Sequence, residues 1–152
     1  MTTQSLRRLT PHFSLEELTR SQVAVRKGID NTPGPVSMQN LQFTAEAMER
    51  VRAVLGVPIT VSSGYRSPPL NAEIGGAPTS AHVLGLAVDF VADRFGSPLD
   101  ICRALVAAEI KFDQLIEEGT WVHISFDPRM RGQVLTKRPG VAGYQSGLRH
   151  AA

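Results

Sequence analysis

The residues of this chain best suited to do chemistry are two histidines and an aspartate. In the segment SAHVLGLAVDF, running from Ser80 to Phe90, His82 and Asp89 stand seven positions apart with Gly85 between them. On one continuous helix that spacing separates two side chains by about 10 Å along the axis, too far for ligands that must each lie ~2 Å from one ion. Gly85 and the β-rich segment LAVDF imply another geometry: His82 on a loop or short helical turn, a reversal at Gly85, and Asp89 on a strand returning beneath it. The segment WVHISF, residues 121–126, supplies a third ligand. Strand alternation sends Trp121, His123 and Ser125 to one face and Val122, Ile124 and Phe126 to the other, so His123 can look into a cleft while the apolar set faces a core. Two histidines and one carboxylate suit Zn2+ and leave a fourth position for water, which is what hydrolysis needs.

Zinc hydrolysis also requires a group that takes a proton from water and later delivers one to the leaving amine. Glu117 is the first candidate. A turn with an odd number of residues, such as Glu118–Thr120, pairs Glu117 with Trp121 and sets it on the face of His123; an even turn presents Glu118 instead. Arg66, in SGYRS, follows an expected strand end and could hold a substrate carboxylate or a developing oxyanion. Ser80, two residues before His82, could orient that ligand or touch substrate, and Tyr65 and Trp121 are the aromatic residues expected to shape the pocket with Arg66.

The elements that must position these residues are legible in the pattern. Ser14 with Glu17 forms a capping box that opens a short helix to about Ser21. After the irregular stretch GIDNTPGP, the apolar residues Leu41, Ala45, Met48, Val51 and Leu55 recur at three- and four-residue steps, which predicts a helix over 37–55 stopped by Gly56. Residues 58–62 read as a strand, SGYRSPPLN as a turn-rich loop, and residues 86–91 as a second strand. Ser97 and Pro98 open a helix to about Ile110 in which Cys102 is expected to pack in the core. Residues 113–118 and 121–126 form an expected antiparallel hairpin, and residues 132–137 an edge strand. The expectation is an α+β fold, a small antiparallel sheet packed with helices.

Composition bounds the rest. The chain has 152 residues, 42% of them apolar, and suits one domain with a core over about 12–137 and a basic flexible tail over about 138–152. One cysteine excludes an internal disulfide and a thiolate zinc cluster. Residues 128–152 hold five basic residues and no acidic one, against nine basic and fourteen acidic over 13–127. That tail could attract an anionic surface. No basic stripe interleaved with aromatic residues points to nucleic acid, and no apolar run points to stable membrane insertion or a signal peptide. The expectation is a monomer made in the cytoplasm that acts on its target after release.

SGYRSPPLN, then GGAPTSAHVLGLAVDF, then WVHISF together resemble the family of zinc D-alanyl-D-alanine carboxypeptidases and L-alanyl-D-glutamate endopeptidases, relatives of the hedgehog signalling domain. Ser80, His82, Gly85, Ala87 and Asp89 carry the Ser-x-His-x6-Asp pattern with its embedded Gly-x-Ala, and a strand histidine follows Trp-Val. FSLEELTRS and NTPG extend the likeness over roughly residues 12–127, with phage-borne and bacterial members. The resemblance implies a hedgehog-like peptidase fold, zinc on His82, Asp89 and His123, Arg66 as the substrate arginine and Glu117 as the catalytic glutamate. It also implies peptidoglycan peptides as substrate, cut at a D,D or an L-alanyl-D-glutamate bond by a phage endolysin or a bacterial wall enzyme. Many members carry the acid three residues before the last ligand; here that residue is Thr120, and Glu117, six before, matches the hedgehog-like spacing. A zinc-stabilised module that binds a wall peptide or protein without cutting it is the alternative.

Overall fold

Ser14 caps the first helix as its sequence requires, accepting from the backbone of Glu17 while the Glu17 side chain accepts from the backbone of Ser14. The computed structural model of the chain describes residues 7–149. Strands β1 (Arg8–Thr10) and β2 (Phe13–Ser14) form a small antiparallel ribbon ahead of α1 (Leu15–Thr19). Ser21 then caps α2 (Gln22–Lys27), a second short helix for which the sequence pattern gave no expectation. The long helix α3 (Pro35–Leu55) ends at Gly56 in the left-handed conformation, and its expected stripe of Leu41, Ala45, Met48, Val51 and Leu55 is buried.

Strand β3 (Thr60–Ser63) leads to α4 (Pro68–Ile74), a helix where SGYRSPPLN suggested only turns. Ser67 caps it and Pro68 occupies its first turn, so the paired prolines start a helix here instead of preventing one. The remaining elements are β4 (Ala87–Val91), α5 (Pro98–Ala107), β5 (Gln114–Glu117), β6 (Val122–Ser125), β7 (Gln133–Thr136) and β8 (Gln145–Ser146). The larger sheet has the order β3-β4-β6-β5-β7-β8. Its pairs are antiparallel except β5 with β7, which run parallel, so the sheet is mixed and β7 is internal where an edge strand was expected. The architecture is α+β.

One face of this sheet packs on the helices. Val88, Phe90, Leu115, Val122 and Ile124 share a buried core with Leu41 and Met48 of α3 and Ile101, Cys102 and Leu105 of α5. Of the flexible tail expected over about 138–152, residues 138–149 run back along β7, where Leu135 pairs with Ser146, Thr136 with Gln145, and the Thr136 hydroxyl donates to the Gly147 carbonyl at 2.7 Å, while residues 150–152 lie outside the described residues. Of the five basic residues over 128–152, Arg129, Arg131 and Arg138 pair with Asp127, Asp113 and Glu117. No helix among the described residues is long and apolar enough to cross a membrane.

The turn between His82 and β4 is fastened to α3. The Thr44 hydroxyl donates to the Gly85 carbonyl at 2.7 Å and the Asn40 amide to the Leu84 carbonyl at 2.8 Å. Gly85 has φ of 76°, and a Cβ there would sit 2.9 Å from the Ser37 carbonyl oxygen. Gly85→Ala should therefore cost at least about 1 kcal/mol and lower Tm by several degrees, measured by thermal unfolding; an unchanged Tm would refute this role.

At the start of β5 the Asp113 carboxylate accepts from Arg131 Nε and from the far Arg131 guanidinium nitrogen, each at 2.8 Å, and from the Arg131 backbone N–H at 3.0 Å. The side-chain bonds of Arg131 hold this carboxyl below its ordinary value of 3.8. A carboxyl depressed in the folded state stabilises fully above its unfolded value and loses that contribution as pH falls through the folded one. The stability gap between the wild type and Asp113→Asn, read by urea unfolding, should thus shrink between about pH 7 and about pH 3; a constant gap would contradict it.

Candidate metal centre

The three ligand candidates come from two adjacent strands and the turn before them. Antiparallel pairing of β4 with β6 places Asp89 directly opposite His123. The bend that begins at Ser80 and closes at Gly85 brings His82 over the same carboxylate. His123 Nδ1 lies 2.9 Å and His82 Nε2 3.3 Å from Asp89 Oδ1, and the two imidazole rings meet edge to face with centroids 5.1 Å apart. One ligating atom from each of the three residues lies within 4.8 Å of the others.

The surroundings prepare these atoms as ligands. His82 Nδ1 sits 2.7 Å from the Gly64 carbonyl, so that nitrogen donates and Nε2 keeps its lone pair for the centre. Gly64 is required at that position because a Cβ there would overlap the carbonyl of Leu18. Burial, the dominant influence on His82, disfavours its charged form and keeps the imidazole neutral. Burial also opposes ionisation of Asp89, but the hydrogen bond from His123 Nδ1, with the two imidazoles close by, overcomes it and holds the carboxyl below the usual range. A neutral imidazole and an ionised carboxylate are the forms that bind a cation. The donor set, two nitrogens and one oxygen converging from a buried floor, fits zinc.

Arg66 completes the floor. Its guanidinium lies 3.5 Å from Asp89 Oδ2, 3.3 Å from Asn71 Oδ1 and, through Nε, 3.3 Å from Ser63 Oγ. Asn31, from the NTPG stretch, holds the Arg66 loop by donating to the carbonyls of Thr19 and Tyr65 and accepting from the Ser67 backbone. Neither Asn31 nor Asn71 stood out in the sequence, although Asn71 belongs to SGYRSPPLN and lies one helical turn into α4.

A cleft of about 530 Å³ opens over these residues, lined by Arg66, Ser80 and Trp121 as well as the ligand candidates. Ser80 Oγ accepts from the His82 backbone at 3.2 Å, which fixes the turn. Trp121 is 38% exposed at the rim. Tyr65 is not in the cleft: its ring is buried in the core and borders a different depression, beside Leu70 and Ile74.

The expectation for Glu117 is corrected by register. Ile116 pairs with His123 and Glu117 with Val122, and Glu118 N donates to the Trp121 carbonyl, so the turn is the even one, Gly119–Thr120. Glu117 therefore turns to the core side of the sheet, where Arg138 and the Gly119 N–H bind its carboxylate. Its charge, after burial, helps to push the neighbouring Cys102 thiol up to about 12. Glu118 turns to the cleft. Burial, followed by the nearby charge of Asp89, raises its carboxyl above the ordinary range.

A converging pair of histidines and an aspartate beneath an open cleft, with a carboxylate at its rim, defines a metallohydrolase-type centre. The family model described as peptidase M15 matches residues 11–125, and the chain belongs to that family. It is accordingly a zinc-dependent metallopeptidase by family, of a kind that acts on peptidoglycan peptides. A search of the curated proteins gave no match.

Protein purified and dialysed against trace zinc should carry one zinc ion per chain by elemental analysis, and His123→Ala should lose it. Retention of stoichiometric zinc by that variant would exclude His123 as a ligand.

Proposed function

We propose that the protein hydrolyses stem or cross-bridge peptide bonds of peptidoglycan, at a D,D or an L-alanyl-D-glutamate linkage, as a phage endolysin or a bacterial wall enzyme. The observation that carries the reading is that Glu118 and the His82, Asp89 and His123 group line one cleft. Zinc held by those three residues would acidify a water molecule and polarise the scissile carbonyl.

Glu118 is the base in this proposal. Its raised proton affinity suits it to take the proton of the attacking water and pass it to the leaving amine. Arg66, with Asp89 and Asn71 fixing its guanidinium, steadies negative charge on the substrate as the tetrahedral species forms. Ser80 and Trp121 bound the cleft in which the peptide lies.

The test is incubation of the zinc-loaded protein with purified sacculi and a search by mass spectrometry for new peptide termini, which also identifies the bond. New termini are expected. Glu118→Gln should retain zinc and lower kcat by roughly 10²–10⁴-fold. No cleavage by the wild type would sink the peptidase reading, and loss of cleavage in Glu117→Gln but not in Glu118→Gln would overturn the choice of base.

A further inference from the structure

Residues beyond 125 lie outside the stretch that the family model matches, yet they build part of the cleft. Tyr144 is 57% exposed and lines the same cleft as Glu118 and Trp121. Sheet register explains how it gets there. Glu117 pairs with Thr136 and Thr136 with Gln145, so continuing each ladder by one residue sets Lys137 beside Glu118 and Tyr144 beside Lys137. With Glu118 N bonded to the Trp121 carbonyl, one row across the end of the sheet reads Trp121, Glu118, Lys137, Tyr144.

Several bonds hold that row together. Lys137 N donates to the Glu117 carbonyl at 2.9 Å, and the Lys137 ammonium lies 6.0 Å from the centre of the Tyr144 ring while donating to the Val141 carbonyl at 2.7 Å. Arg138 joins the Glu117 carboxylate to the Arg149 carbonyl, which closes the segment into a strap anchored at both ends. Burial first, and then the charges of Glu118 and Asp89, push the Tyr144 phenol above its ordinary value of 10.0. The hydroxyl is therefore a neutral donor in a cleft whose deeper wall is already supplied with charge.

We propose that Tyr144 is a substrate-contacting residue, its phenol donating to an oxygen of the bound peptide, and that the strap of residues 137–149 holds it in place. This rests on the peptidase reading for the identity of the ligand. Tyr144, Trp121 and Glu118 line one cleft, so a peptide whose scissile bond reaches Glu118 lies in a cleft bordered by two aromatic side chains. The hydroxyl adds direction to that contact, since an O–H selects an oxygen acceptor where a bare ring would not.

The experiment measures binding without turnover. In the full-length, zinc-loaded Glu118→Ala protein, the affinity for a synthetic stem peptide, L-Ala-D-Glu followed by a diamino acid and D-Ala-D-Ala, is read from the fluorescence of Trp121, the one tryptophan of the chain. Adding Tyr144→Phe should weaken binding roughly threefold to tenfold, the range of one net hydrogen bond, and Tyr144→Ala should weaken it further. Zinc content and Tm should match those of the Glu118→Ala parent, because an exposed side chain carries little of the core. Affinities of all three proteins within twofold of one another, or no binding by any, would overturn the proposal. Sacculus cleavage by the wild type is scored separately: new termini with no effect of Tyr144 leave the peptidase reading standing, whereas an effect of Tyr144 on binding without wild-type cleavage leaves the contact standing alone.

Discussion

The pairing of Asp89 with His123 across β4 and β6 is the interaction on which the rest of the site depends. Adjacent antiparallel strands fix two opposed side chains within hydrogen-bonding reach without any help from long loops, and here they fix an acceptor against an imidazole at 2.9 Å. Everything else is arranged around that carboxylate. The turn closed by Gly85 brings His82 over one oxygen, and Arg66 approaches the other. Burying three ionisable groups and an arginine together would be costly for any one of them alone. The mutual hydrogen bonds offset the burial, and a bound cation would add to the balance.

The scaffold meets this demand by dividing the sheet. Its apolar face is sealed by α3 and α5, so the strands are held rigidly, and the opposite face is left for polar chemistry. Glu117 is the exception, a carboxylate on the sealed side. It is tolerated because Arg138 and the Gly119 N–H bind it there, and the same contacts fix the turn that carries Glu118. A buried charge whose partner comes from the C-terminal segment also ties that segment to the sheet, so residues on both sides of the hairpin turn depend on one ion pair.

The helix α4 illustrates how a local signal can be correct yet misassigned. Two prolines after a strand read as turn residues, but Ser67 ahead of them is a helix cap and the prolines fall in the first turn, where no intrahelical N–H is needed. That helix then delivers Asn71 to Arg66, a contact no spacing rule would have suggested. The strand β7 was read as an edge because nothing in its four residues reveals a neighbour nine to eleven positions later in the chain; the partner, Gln145–Ser146, is too short to show alternation.

What the sequence by itself determined was the set of candidate ligands and the strands that carry two of them. His82, Gly85, Asp89 and His123 are recognisable because donor type, a reversal residue and strand alternation are all local properties. The long helix, the Ser14 capping box and the core stripe follow from short-range spacing for the same reason. Tertiary structure alone decided which glutamate faces the cleft over His82, Asp89 and His123, because one residue more or less in a turn inverts every side chain of a strand, and both Glu117 and Glu118 satisfy the local pattern. It likewise decided that Tyr65 belongs to the core and Tyr144 to the cleft. Tyr144 lies 55 positions from Asp89 in the chain, and only the ladder from β5 through β7 to β8 carries it to the site.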